Sequence, residues 1–556
     1  MDEATGMLKR AQDFFDRADK VFKDEQIEET VDKFARMYRS KKKDERDTEE
    51  ITVNKIFPMV RTATASLFHK RPEIITKPRR PRDVRSAEQM ELALNYLIRV
   101  KKYSVHLLRA LRHATMFPYG TIKLGVEKGS GIPWMEAVHP KDVRGDATRQ
   151  RYKPEDGNFV AFRFVRTMKE LRQSGEYVEG ELNKLHDTLG RGSAGIETYD
   201  EEVTPLSLWE AYVKDRNTIY IVTWANDTKL NLRKDGQTFT NVAGLPVRTL
   251  IFNEADDTHY PIALPEIVLD QLKEKNILRS AQVVHSERAS RIVGYDINRI
   301  PPEERDKFQK NIPLQYIGTD GPPKEVVQPI EHAGLPADTF NTEERVDEDI
   351  QEGFGMGSLQ TGAQSARPSR SATEAAIVEN NLRARSSDRQ EYWEEFVEST
   401  MQGVGSLMQK HLRDDLWMMI TDDIPVRISH QEIQGDFDIT VAASSTLPVD
   451  RGSEQEKAKM MWEMFSPLAF GPPVPGMPGV KPEWLLRNTL AKLGVKDTAE
   501  AMRPAPPMVP PAPMLQPGPA GPPAPDAGQR MGMMGQALQQ GSPLSMAAGF
   551  RREVNA

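Results

Sequence analysis

SATEAAIVENNLRARSSDRQEYWEEFVESTMQGVGSLMQKHLR, residues 371–413, contains no proline, and its only glycines are Gly403 and Gly405. Its first four residues, Ser371-Ala-Thr-Glu374, form a capping box: serine hydroxyl and glutamate carboxylate can each accept an amide left open at a helix start. As one helix the stretch would be roughly 65 Å long at a rise of 1.5 Å per residue. Its second half carries Trp393, Phe396, Val397, Thr400, Val404, Leu407 and Met408 at the i, i+3, i+4 spacing of a packed face. Its middle, Arg383 to Glu391, is almost wholly polar. One helix therefore passes between two environments, and needs a partner larger than its own domain.

Upstream, Gly355 to Arg370 is rich in glycine and serine and reads as a flexible loop. Gln360, Gln364 and Ser365 offer neutral hydrogen bonds there, and Arg367 and Arg370 offer contacts to phosphate. Before the loop, Asn341 to Phe354 reads as a helix with Asn341 and Glu344 as cap partners. Val346, Ile350 and Phe354 give it one narrow apolar stripe. Glu343, Glu344, Asp347, Glu348, Asp349 and Glu352, against a single Arg345, leave it a wide acidic face. Arg291 to Ala337 is expected to form a small island of two or three strands with a short helix near Pro302 to Lys310, and Leu264 to Ser290 a helix opened by Pro265. This order describes two nearly antiparallel helices carrying a β knob, with a loop at their base.

The N-terminal part reads as an α+β domain. Thr5 to Arg39 is expected as helix, Ser40 to Glu50 as a solvated charged turn, and Ile51 to Leu67 as a second helix broken or kinked at Pro58. Glu73 to Thr76 reads as a short edge strand between prolines, and Ser86 to Thr115 as one long amphipathic helix. Tyr119 to Val126, Pro133 to Val138, Phe159 to Val165, Trp209 to Val213, Thr218 to Trp224 and Pro246 to Phe252 are short β-type runs. After the long helix, Phe437 to Ala442 returns to β character, and Glu454 to Phe465 and Pro482 to Leu493 read as short helices. From Pro504 the chain is mostly Pro, Met, Gly, Ala and Gln, a composition expected to stay disordered.

Lys and Arg total 75 against 82 Asp and Glu, a formal charge of −7, which argues against a protein that wraps and neutralises nucleic acid. There is no cysteine, so disulfides and thiolate zinc sites are excluded. Met1 to Arg10 has no apolar run, and no stretch approaches the ~18 apolar residues of a membrane span; neither a signal peptide nor a membrane partner is expected. The chain has no G-x-x-x-x-G-K-[ST], G-x-S-x-G or H-E-x-x-H motif. Asp436 and Asp438 alternate on one strand and could hold a metal with Asp422 or Asp423, but no Glu or His cluster completes the set, and solvation at a strand edge is favoured. His106 and His113 lie two turns apart on a helix, where packing outweighs ligation. No catalytic site and no cofactor are expected.

Several passages resemble the portal, or head–tail connector, proteins of tailed bacteriophages: Val53-Asn-Lys-Ile56 before Arg71-Pro-Glu-Ile, Ala114-Thr-Met-Phe-Pro-Tyr-Gly-Thr-Ile-Lys123, Val138-His-Pro-Lys-Asp142, Leu272-Lys-Glu-Lys-Asn-Ile-Leu-Arg279 and Ser371-Ala-Thr-Glu-Ala375. The resemblance covers roughly Glu50 to Glu463. It implies a wing over residues 1–263, a stem over 264–290 and 341–354, a clip over 291–340 and a tunnel loop over 355–370. A long helix and return to the wing follow over 371–449, then crown-like helices over 450–502 and a tail over 503–556. It further implies a dodecameric ring without enzymatic activity at one capsid vertex of the virion, assembled in the host bacterial cytoplasm. The implied partners are double-stranded DNA in the channel, the terminase large subunit, head–tail adaptor and tail proteins, and capsid and scaffolding proteins. The tunnel-loop residues Gln360, Gln364, Ser365, Arg367 and Arg370 would then face DNA, and Glu343, Glu344, Asp347, Glu348 and Asp349 would line the channel. The crown boundary and the Pro/Met tail depart from the family plan. Two other readings are a metal-dependent nuclease using Asp422, Asp436 and Asp438, and a structural scaffold with no DNA partner.

Overall fold

The computed structural model describes residues 2–41, 51–192, 205–216, 218–225, 231–233, 238–239, 244–291, 293–296, 298–300, 320–329, 337–355, 372–413, 415–421, 424–442 and 451–470, with Leu485 and Thr489. The chain divides into two compact units, Met1–Asp450 and Arg451–Ala556.

In the first unit, α1 (Asp2–Asp24) and α2 (Ile27–Tyr38) are separated by Gln26, whose φ of 52° is left-handed. The one helix expected over Thr5–Arg39 is therefore two. A tertiary contact accounts for a break without glycine: the Glu25 carboxylate accepts the backbone N–H groups of His259 and Tyr260, each at 2.9 Å. α3 (Ile56–Leu67) starts later than expected, so Pro58 falls in its first turn, where no intrahelical N–H bond is missed and no kink arises. α4 (Val84–Val100) and α5 (Tyr103–Met116) replace the single helix expected over Ser86–Thr115. Lys102 between them has φ 55°, and Tyr103 is buried with its hydroxyl donating to the Pro133 carbonyl.

The strands are β1 (Ile74–Pro78), β2 (Gly120–Val126), β3 (Pro133–Val138), β4 (Val143–Gly145), β5 (Phe159–Thr167), β6 (Pro205–Asp215), β7 (Thr218–Ala225), β8 (Thr238–Phe239), β9 (Val247–Leu250), β10 (Val293–Tyr295), β11 (Val327–Pro329), β12 (Leu416–Thr421), β13 (Ile424–Ile428) and β14 (Phe437–Val441). Between β5 and β6 lie two helices that the sequence reading missed, α6 (Met168–Ser174) and α7 (Glu179–Gly192). The larger sheets are antiparallel, in the orders β4-β5-β6-β7-β8 and β3-β2-β9. Side-chain alternation sorts the first of these into two faces. Phe159, Ala161, Trp209, Ala211 and Val213 pack under Leu8, Ala11, Phe14 and Phe15 of α1. Val160, Phe162 and Tyr212 turn the other way, toward Val143, Leu245 and Val247. On that side Lys123 of β2 reaches Glu210 of β6 at 2.5 Å, and Arg233 pairs with the same carboxylate. This buried ion cluster joins the two sheets, and its two cations hold the Glu210 carboxyl well below the usual range despite burial.

The remaining helices of this unit are α8 (Leu264–Ile267), α9 (Leu269–Arg291), α10 (Pro323–Val326), α11 (Ala337–Gly353) and α12 (Ala372–His411). α12 is 40 residues long, and Trp393, Phe396, Val397, Thr400, Val404, Leu407 and Met408 are all buried, as the periodicity predicts. Its C-terminal half is held by strands from both sides in sequence. Arg248 of β9 donates to the Ser399 carbonyl at 3.1 Å, and Glu398 accepts the Val441 amide of β14 at 2.9 Å. β1 and β14, from opposite ends of the first unit's sequence, pair with Ile74 opposite Val441. Gly403 permits the close seat on β2, since a Cβ there would come 2.6 Å from Leu124 Cδ1.

In the second unit α13 (Arg451–Phe470) is longer than the expected Glu454–Phe465 helix. Of the expected helix over Pro482–Leu493, Leu485 and Thr489 are described, with Thr489 Oγ1 donating to the Leu485 carbonyl at 2.7 Å. The Pro/Met tail lies outside the described residues. Among the described residues no helix is long and apolar enough to cross a membrane.

Candidate functional site

α9 and α11 form a hairpin whose register follows from three contacts. A Cβ at Gly353 would lie 2.5 Å from Val268 Cγ1, Lys275 bridges Glu343 (2.7 Å) and Asp347 (2.9 Å), and Gln282 donates to Glu343 at 2.6 Å. Residue numbers rise on α9 as they fall on α11, so the two run antiparallel. Between them β10 and β11 pair antiparallel, with Val293 opposite Pro329. α11 begins at Ala337, four residues before Asn341, so the expected Asn341–Glu344 cap does not sit at a helix start.

The middle of the hairpin is strapped by the residues leading into α3. The Ile51 amide donates to Ser280 Oγ and the Val53 amide to Asn276 Oδ1, both at 2.8 Å, and Lys55 Nζ reaches Asp347 at 3.1 Å. Two lysines thus face two carboxylates. The Lys275 side chain is only 6 % exposed, and its hydrogen bond to Glu343, with that from Gln282, holds the Glu343 carboxyl below the usual range. Lys275 was not singled out from the sequence. The available signal was its place on the buried stripe Val268, Leu272, Lys275, Gln282, where a lysine needs a counter-charge.

The five acids of the channel-lining reading therefore fall into two groups. Glu343 and Asp347 point into the hairpin on the side of the buried Val346, Ile350 and Phe354, and are neutralised within the chain. Glu344, Glu348 and Asp349 are exposed on the opposite side and carry no ion pair among the described residues; Glu352 is exposed there as well. Past Phe354 the chain turns at Gly355 (φ 70°), where a Cβ would come 2.9 Å from the Arg389 guanidinium of α12. Gln360, Gln364, Ser365, Arg367 and Arg370 lie outside the described residues.

Of the metal candidates, the two that are described are each paired with an arginine. Asp436 pairs with Arg80 at 2.8 Å and Asp438 with Arg79 at 2.6 Å, and the latter hydrogen bond draws the Asp438 carboxyl down. Asp422 and Asp423 lie outside the described residues, and among the described residues no cluster of His, Asp and Glu could hold a metal ion. His106 Nδ1 accepts the Ala137 amide at 3.4 Å. His113 packs against Phe117 and His139, and burial pushes its imidazole down to about 3. No known family model matches the chain, and no curated protein is significantly similar to it.

Proposed function

We propose that the chain is the subunit of a portal ring of a tailed bacteriophage, through which double-stranded DNA is packaged and ejected. The observation that carries this reading is the succession of antiparallel α9 and α11 bearing the β10–β11 pair, a turn at Gly355, and a 40-residue helix whose second half is seated in the core. Residues 1–263 then serve as wing, α9 and α11 as stem, 291–340 as clip, 355–370 as tunnel loop and 450–502 as crown. The ring stands at one capsid vertex, docks the terminase large subunit and later head–tail adaptor and tail proteins, and contacts capsid and scaffolding proteins. It performs no catalysis and uses no cofactor.

In this reading Lys55 and Lys275 fix the stem, so that Glu344, Glu348 and Asp349 supply the charge that repeats around the axis. A negative collar disfavours phosphate adhesion and lets DNA slide, whereas a basic one would release counterions and hold it. Closed cyclic assembly follows from head-to-tail contacts repeated at a fixed rotation. Native mass measurement with negative-stain imaging of the purified chain tests the reading. A closed ring with a central hole is expected; a chain that stays monomeric at high concentration in moderate salt overturns it.

A further inference from the structure

Where α2 meets α3, basic residues with no ion pair among the described residues lie near an exposed aromatic ring in the chain. Phe57, in the first turn of α3, is 46 % exposed, and its ring centroid lies 5.1 Å from that of Tyr38 at the end of α2. Asn54 locks the two helices together. Its Nδ2 donates to the Tyr38 carbonyl (2.9 Å) and Ser40 Oγ (2.8 Å), while its Oδ1 accepts the Phe57 amide (2.9 Å).

Arg36 lies in the last turn of α2 and Arg39 and Lys41 just past its end, where the Lys41 amide donates back to the Arg36 carbonyl at 2.9 Å; Arg61 is one turn beyond Phe57. Arg39, Lys41 and Arg61 are exposed, Arg36 is half-buried, and none of the four has an ion pair among the described residues. Glu28, in the first turn of α2, and Asp32, in its middle one turn before Arg36, are taken up by Lys141. From Ile51 to Pro72 the sequence holds no acid at all.

Four like charges gathered on a protein of net charge −7 repel one another and gain from an anion. Three are guanidinium groups, whose planar fork matches phosphate or carboxylate bidentately. The ring decides between these. An acidic peptide could use the arginines but offers Phe57 no planar partner, and a duplex keeps its bases stacked inside, whereas an unpaired base can lie on the open face.

We propose that this surface binds single-stranded nucleic acid without regard to sequence, with Arg36, Arg39, Lys41 and Arg61 on phosphates and a base stacked on Phe57. The proposal does not depend on the portal reading, which concerns duplex passing through an assembled ring.

Fluorescence anisotropy of the full chain with a short labelled oligothymidylate, and with a duplex of equal length, tests it. The single strand should bind more tightly. Arg39→Gln with Arg61→Gln should lower the slope of log affinity against log salt by about 1.4, at about 0.7 per lost phosphate contact. Phe57→Ala should weaken binding on the order of 5- to 150-fold, the range of one stacked base, and Phe57→Trp should restore it. Unchanged melting temperatures establish that each variant is folded. Absence of salt-dependent binding, or indifference to Phe57→Ala, overturns the proposal. Competition by polyglutamate as strong as by oligothymidylate assigns the surface to an acidic protein instead. Binding that emerges only after Asp44, Glu45 and Asp47 are changed to Asn, Gln and Asn makes the chain's own acids the occupant, and equally overturns it.

Discussion

Replacing Lys275 with methionine removes the charge at the centre of the α9–α11 hairpin while keeping the length of the side chain. Breaking a buried ion pair by deleting one partner commonly costs about 3–5 kcal/mol, because the other charge is left uncompensated. Two features reduce that figure here. The Glu343 and Asp347 side chains are 20 % and 26 % exposed, and Lys55 remains on Asp347. A loss of about 2–3 kcal/mol in the local opening free energy is expected, or exchange of the α11 amides faster by on the order of 30- to 150-fold. Hydrogen exchange read by mass spectrometry resolves this helix without requiring two-state unfolding of the whole chain. The pH dependence supplies a second check. Glu343 is depressed below 4.5 in the folded state, so its contribution is fully present above that value and lost as pH falls through the folded value. Wild type and Lys275→Met should therefore converge at acid pH, with exchange rates corrected for the intrinsic pH effect. A change under about 3-fold at neutral pH, too small for a loss of even 1 kcal/mol, or one equal at both ends of the range, would refute the reasoning.

Changing Glu348 and Asp349 to lysine should slow DNA packaging at low salt and be eased by added salt, which shortens the reach of the charge; packaging at the normal rate would sink the acidic collar. Glu343 and Asp347 are unsuitable for that test, because reversing either breaks the hairpin itself. His113, held down to about 3 by burial, contributes stability that is complete above its unfolded value of 6.5 and declines as pH falls toward 3. His113→Gln should thus show a shallower fall in melting temperature between neutral and mildly acid pH, and an unchanged slope would exclude the buried imidazole as its source. Truncation before Arg503 should leave ring formation intact by native mass, as expected of a linker-like composition, and loss of assembly would place a structural element in the tail.

Elements set by local pattern were legible in the sequence. The buried stripe of α12 from Trp393 to Met408 is a 3.6-residue repeat, and β1, β2, β3, β5, β6, β7, β9 and β14 alternate or sit between turn residues. Such signals depend on neighbours a few residues away and survive without knowledge of the fold. The helix breaks at Gln26 and Lys102 were not legible, because neither residue favours a left-handed backbone. Distant anchors accompany them: Glu25 on the His259 and Tyr260 amides, and Tyr103 on the Pro133 carbonyl. The acids of α11 show the same division. Composition alone made the helix acidic, but every one of its carboxylates looked alike in the sequence. Only the packing of α9, with Lys275 turned inward, and the strap that brings Lys55 to Asp347 separated the neutralised Glu343 and Asp347 from the exposed Glu344, Glu348 and Asp349. A counter-charge 68 residues away, as Lys275 is from Glu343, leaves no local trace in the pattern of either helix, because ion pairing acts through space and not along the chain.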